Sequence, residues 1–173
     1  MEAALEVASN LLPADRLEVE EGHGIDSTEA LVDAVQKPSC VYFVVPNGKT
    51  AGMAGVDAGG QIWMLCTPAI HDYPLTFARE AKRYVEGRQE KLLWNIVDKR
   101  NKVHLKLLQF LGFKFLKELK HGPNNLTFIE FCRINYGTLG TSSSSRFSSS
   151  GDGLRKKSLK SSKGKKCLRN TTV

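Results

Sequence analysis

Long apolar runs are missing from this chain: no stretch approaches the roughly 18 residues that a membrane-spanning helix needs. Met1 to Leu12 carries acids and no basic cluster, unlike a signal peptide, so a soluble protein of the cytoplasm in which it is made is expected. Cysteine is sparse and scattered. Cys40, Cys66, Cys132 and Cys167 lie far apart, the first three within apolar runs, which excludes a secreted disulfide framework and a closely spaced metal motif. His23, His71 and His121 fall in expected loops with no ligand-spaced cluster around them, so no metal is expected either.

Acidic residues are nearly absent from the end of the chain. Residues 137–173 carry 9 Lys+Arg against 1 Asp+Glu, whereas residues 1–136 carry 16 against 17, so the net charge of +7 belongs to the tail. A basic nucleic-acid-binding domain is therefore excluded on charge alone. Two regions follow: a nearly neutral domain over 1–136, large enough for a single core, and a Ser/Gly/Lys-rich tail over 137–173. The tail cannot bury enough apolar surface to offset its ordering entropy, and disorder is expected there. Its basic block, with Arg155, Lys156, Lys157, Lys160, Lys163, Lys165 and Lys166, is a candidate contact for DNA phosphates or an acidic protein surface, free of sequence preference.

Periodicity places the elements of the domain. Leu5, Ala8, Leu11 and Leu12 share one face of a helix running from Met1 to the stop at Pro13. After an acidic connection, Asp26 with Glu29 three residues on caps a second helix carrying Leu31, Ala34 and Val35, and Pro38 ends it. Ser39 to Val45, Ala51 to Val56 and Gln61 to Cys66 read as three meander strands joined by Pro46-Asn47-Gly48-Lys49 and Asp57-Ala58-Gly59-Gly60. Phe77, Ala81, Tyr84 and Val85 mark an amphipathic helix from Pro74 to about Gly87. Leu92 to Val97 is a strand, Val103 to Leu111 a helix closed by Gly112, and Phe113 to Leu119 and Leu126 to Cys132 are the last strands. The order ααβββαβαββ predicts an α/β (α+β) domain, a mixed and mostly antiparallel sheet flanked by helices with one parallel pair.

That order resembles the GNAT acetyltransferase fold without its first strand, a loss that would leave an open sheet edge. Asn101 to Phe113 is similar to the family's Asn-led helix running into Leu-Gly-Phe. A narrower resemblance rests on Leu12-Pro13-Ala14-Asp15-Arg16, Cys66-Thr67-Pro68-Ala69, Tyr73-Pro74 with Phe77 to Glu80, and Leu93-Trp94-Asn95 with Asp98 and Asn101. These look like the internal virion protein A family of short-tailed phages, described as morphogenesis or internal-core proteins on a GNAT-like scaffold.

The GNAT resemblance implies acetyl-CoA, whose pyrophosphate sits on a Gly-rich turn where packed N–H groups and a helix dipole favour an anion. The matching stretch here, Thr67 to Pro74, has no glycine, two prolines without N–H donors, and Asp72. The position where the family commonly has a tyrosine acid is Leu108, which transfers no proton. His104, one histidine on an apolar helix, reads first as a packing residue.

The expected function is accordingly a non-catalytic phage virion morphogenesis or internal core protein, with no catalytic residue and no cofactor. Its partners would be other virion proteins, and its place the host cytoplasm during assembly or the virion. The alternative is an acetyl-CoA-dependent N-acetyltransferase whose donor is held by strand backbone, with Met64, Leu65, Cys66 and Asn101 as the contact residues. A DNA-associating protein acting through its tail is the third reading. The strand cysteines, Trp63 and Trp94 read as core. The Arg79 to Arg88 helix face reads as solvated, with docking of another protein as the sharper alternative.

Overall fold

The computed structural model describes residues 1–135 and a two-residue strand, Leu168–Arg169. The three meander strands form where β-branched, aromatic and small residues alternate between two faces: β1 (Val41–Val44), β2 (Thr50–Asp57) and β3 (Gln61–Cys66). They pair antiparallel in sequence, with Val41 opposite Ala54 and Gly55 opposite Trp63. A 3₁₀ turn (Pro68–Asp72) and the amphipathic helix then carry the chain over the sheet to β4 (Leu92–Asp98), which lies parallel to β3. The helix Lys102–Phe110 follows, and the hairpin of β5 (Lys114–His121) and β6 (Leu126–Ile134) inserts β6 beside β4. The sheet order is β5-β6-β4-β3-β2-β1, and Leu168–Arg169 (β7) pairs antiparallel with β1 through Tyr42 and Phe43. The rest of the expected tail, basic block included, lies outside the described residues.

Helices cover both faces. Here α1 is Glu2–Ser9, α2 Pro13–Leu17, α3 Ser27–Val35, α4 Pro74–Glu86 and α5 Lys102–Phe110. Ala4, Val7 and Ala8 of α1 and Leu31 and Ala34 of α3 pack on Met53, with Trp63 and Leu65 of β3 beside them. The opposite face packs Val85 of α4 and Leu108 of α5 on Val56, Ile62, Leu93, Val97 and Phe131. A third cluster gathers Val41, Phe43, Ala51, Ala54, Cys66 and Ile70, so the side-chain alternation of the strands packs both faces of one sheet.

Two expectations at the N-terminal end need correction. The first helix stops at Ser9: the Asn10 N–H turns to the Val7 carbonyl, and the Ser9 hydroxyl and the Asn10 side-chain amide donate to the Leu5 and Glu6 carbonyls of the last turn. The acidic connection is in fact helical: Pro13 opens α2 at its first position, and the chain runs on as a π-helical turn (Glu18–His23) to Gly24, left-handed at φ +72°. Asp26 caps α3 as expected, accepting from the Thr28 and Glu29 N–H groups. Among the described residues no helix is long and apolar enough to cross a membrane.

The turn before β3 fixes the centre of the sheet. Gly59 and Gly60 both have left-handed φ, +80° and +83°, but a Cβ on Gly59 meets open space while one on Gly60 would lie 1.9 Å from the Leu92 carbonyl oxygen. Gly59→Ala is expected to lose about 1 kcal/mol, the backbone strain alone, and Gly60→Ala about 3 kcal/mol or more because the β3–β4 junction must also shift. Urea denaturation of the two variants checks the difference; equal losses would contradict it.

Candidate active site

β3 and β4 are the only parallel pair among the described strands, and they are joined at one register position, Gln61 with Trp94. The Trp94 N–H donates to the Gly60 carbonyl at 3.0 Å. Beyond this the strands diverge, and a side chain supplies the next rung: Asn95 Nδ2 donates to the Ile62 carbonyl at 2.8 Å, while Asn95 Oδ1 accepts from the Ile96 N–H at 2.8 Å and from Gln61 Nε2 at 3.2 Å. Thr67 donates its N–H to Ala51 on β2, so the alternation of an antiparallel strand turns the Met64 N–H and C=O away from β2 and into the opening.

The opening leads into a cavity of about 340 Å³. Its walls are mainly apolar, with Met64, Leu65, Phe77, Ala81, Ile96 and Leu108 among them, and Glu18, Tyr84 and His104 also face it. The Tyr84 hydroxyl is buried with no hydrogen-bond partner among the described residues, and burial is the first cause that pushes its pKa up.

At the wide end of the opening a buried polar cluster ties α2 and the π-helical turn to the sheet. Asp15 Oδ2 accepts the Cys66 N–H at 2.9 Å, and the Leu12 N–H donates to the Cys66 carbonyl at 2.8 Å. Asn101, 3% exposed, caps α5 by accepting the His104 N–H on Oδ1 at 3.1 Å. Its Nδ2 donates to Asp15 Oδ1 at 2.9 Å and to Glu18 Oε2 at 3.2 Å, so both amide hydrogens are used. Burial raises the Glu18 pKa to about 8; the Asn101 hydrogen bond opposes the shift and the Asp15 charge adds to it. Glu18 therefore holds a proton at neutral pH. Burial lowers the His104 pKa, against the Asp15 charge, and leaves the imidazole neutral. Asp98, equally buried, accepts both Arg100 Nε, at 3.0 Å, and Nη2, at 2.8 Å.

The sequence-expected contact residues divide. Met64 and Leu65 line the cavity, whereas Cys66 and Asn101 stand behind it, engaged with Asp15. Burial, with Asp15 adding to it, pushes the Cys66 thiol well above its ordinary pKa, which fits a packed thiol rather than a nucleophile. Leu108 is buried in the α5 core, as its apolar character requires. Among the described residues no three His, Cys, Asp or Glu converge as a metal site. His23 and His121 do meet, at 3.0 Å, a contact across the fold that no local pattern announces. On α4, Lys82 pairs with Glu86 and Arg83 with Glu80, as a solvated face does. Asn95, Asp15 and Glu18 are the site residues that sequence reasoning missed.

A pantetheine arm fits this site: the cavity is mainly apolar and the Met64 backbone faces it. For the diphosphate of CoA the turn before α4 offers no glycine-rich cradle. In the Thr67–Pro74 turn the Ile70 and Tyr73 N–H groups bond within the turn, Thr67 Oγ1 takes the Ala69 N–H, and Asp72 lies 4.0 Å from Lys49.

No protein-family profile and no curated protein matches the sequence. Solved structures do match in fold, and they define the class. An acetyltransferase of the GNAT family from Bacillus anthracis superposes with a TM-score of 0.57 at 12% identity, over 77% of this chain and 87% of that one. The putative acetyltransferase yncA from Salmonella typhimurium, solved with its cofactor acetyl-CoA, gives 0.55 at 13% identity, over 88% and 94%. A Streptococcus pneumoniae GNAT acetyltransferase gives 0.51 at 15%, over 78% and 94%. The fold is thus the GNAT fold, a mixed sheet flanked by helices. None of these neighbours is a virion protein, so the expected non-catalytic phage core protein is corrected: what the chain shares with them is the GNAT fold, and nothing in them supports a phage role.

The Glu18 shift makes a testable statement about stability. An unfolded Glu18 ionises above pH 4.5 while the folded one keeps its proton to about pH 8, so its contribution is whole below 4.5 and falls as pH rises between those values. Glu18→Gln cannot ionise. Its stability relative to the native chain is expected to rise by a few kcal/mol, on the order of 3, from pH 5 to pH 8. Denaturant midpoints at the two pH values check this, and a pH-independent difference would refute it.

Proposed function

We propose that the protein is an acetyl-CoA-dependent N-acetyltransferase that holds its donor by the thioester arm rather than by the diphosphate. One observation carries this reading: the sheet opens between β3 and β4 after a single paired position, directly onto an apolar cavity of about 340 Å³. A continuous sheet would close such a cleft, because neighbouring strands lie only about 4.8 Å apart. The residues then have distinct tasks. The backbone of Met64 would take the arm as an added half-strand, satisfying amide groups that otherwise enter an apolar site unpaired. The Tyr84 hydroxyl would supply a further hydrogen bond. Asn95 keeps the strands apart at the narrow end, so that the carbonyl carbon under attack stays within reach of an acceptor amine entering from the other side of the sheet. The bound thioester supplies the activated acyl group; the chain supplies alignment and exclusion of water.

Calorimetric titration of the protein with acetyl-CoA and with S-acetyl-pantetheine tests the reading. Both are expected to bind in the micromolar range, the shorter compound within about ten-fold of the longer, since a grip on the arm survives loss of the nucleotide. Ala81→Trp, which fills the cavity from α4, is expected to weaken both by ten-fold or more with its melting temperature kept. Absence of binding to either compound would overturn the proposal.

A further inference from the structure

We propose that Glu18 is the proton-transfer residue of this cleft, giving its carboxyl proton to the departing thiolate and taking up the proton that the acceptor nitrogen sheds. The inference rests on the acyl-transfer reading above and adds to it the group that chemistry requires. A thiolate leaves readily only if it is protonated or otherwise stabilised, and the attacking nitrogen must lose a proton once its bond to carbon has formed. The step balances within the site. The nitrogen lone pair forms the C–N bond, the C–S bond breaks with its electron pair going to sulfur, the Glu18 proton goes to sulfur, and the proton from nitrogen restores the acid.

Geometry singles out Glu18. It lines the cavity at the wide end of the opening, it is 8% exposed, and Oε2 is fixed by Asn101 Nδ2 at 3.2 Å. Asn101 is itself fixed as the cap of α5, so the carboxyl is held from a rigid element although Glu18 sits on a π-helical turn. Glu18 closes α2 in right-handed helical conformation three residues after Asp15, so the two carboxyls share one helix face where the π-helical turn begins. The groups facing Glu18 are Asp15 from α2, Asp98 from β4 and Asn101 from α5, with His104 in the same wall. Burial is the main cause that keeps the Glu18 proton in place; the Asp15 charge adds to it, and Asp98, paired with Arg100, adds less. Leu108 on α5 has no proton to give. Tyr84 has one, but burial makes its hydroxyl a weaker acid than usual.

The experiment measures acetyl transfer from acetyl-CoA to benzylamine by the full chain and by Glu18→Gln, with acetyl-CoA affinity measured alongside. The variant is expected to bind acetyl-CoA within about two-fold of the native chain and to lose on the order of 100-fold in kcat. The native pH–rate profile should break near pH 8, and that break should vanish in the variant. Unchanged kcat and profile in Glu18→Gln would overturn the assignment. The second readout needs no turnover: in protein carrying 13C-carboxyl glutamate, the resonance absent from Glu18→Gln should titrate well above the ordinary range. A midpoint near 4.5 would overturn the role whatever the activity. A native chain that titrates as expected but neither binds nor transfers would overturn the acyl-transfer reading, and the proton-transfer role would fall with it.

Discussion

One paired position, Gln61 with Trp94, joins the two halves of this sheet, and the rest of the architecture answers to that scarcity. On one side stand β1 to β3 under α1 and α3; on the other stand β4 to β6 under α5, with α4 crossing between them. A parallel pair made by a crossover helix needs no hairpin to hold it in register, so it is where a sheet can open at least cost to its ladders. The opening still has to be held at a fixed width. Asn95 does this at the narrow end with a side-chain rung, and the Asp15–Asn101 cluster does it at the wide end. Between these two braces the sheet gives up its ladder and gains a cavity.

The second brace is built from groups that resist burial. Two carboxyls and an amide stand in a dry interior, where an unmatched charge costs several kcal/mol. The cost is contained by using every donor. Asp15 accepts from the Cys66 backbone and from Asn101, Asn101 spends both its amide hydrogens, and Glu18 keeps a proton instead of a second negative charge. The cluster therefore carries one exposed consequence, an acidic proton facing a cavity. The wall of that cavity is mainly apolar, and a low-dielectric surrounding strengthens electrostatic interactions.

Most of the elements were legible in the sequence because they rest on local periodicity. Pro74 opens α4 at its first position, Gly112 is left-handed after α5, and β3 spans the residues that alternation marks. What stayed hidden depends on contacts far apart in the chain. Glu18 looks solvated beside Glu20 and Glu21, and only Asn101, 83 residues on, shows that it is buried. A π-helical turn has no hydrophobic period to read, so its acids passed for a connection. Of the motifs that suggested a narrow family, Leu12 to Arg16, Cys66, Asn95 and Asn101 are the braces of the opening, with Asp15 on Cys66, Asn95 on Ile62 and Asn101 on Asp15, whereas Tyr73-Pro74 and Phe77 to Glu80 start α4. They report how the cleft is built, which is a property of the scaffold rather than of a biological role. Likewise, Leu108 excludes a proton donor at one position on α5, and does not speak for a side chain arriving from another element.

Asn101 shows how closely fold and site are joined. Its carbonyl oxygen caps α5, a task that Asp, Ser or Thr performs as well in an ordinary helix. Its amide is what those residues lack. An aspartate there would still accept the His104 N–H, but it would bring a third carboxyl against Asp15 and Glu18 and withdraw the one hydrogen bond that each receives from Asn101. A serine would leave a gap where the amide reaches. The helix start, the orientation of Asp15 toward the Cys66 backbone, and the placement of the Glu18 carboxyl are thus three demands met by one side chain with one acceptor and two donors. Only asparagine meets them at that length, which is why the cap of α5 is also the hinge-pin of the cleft.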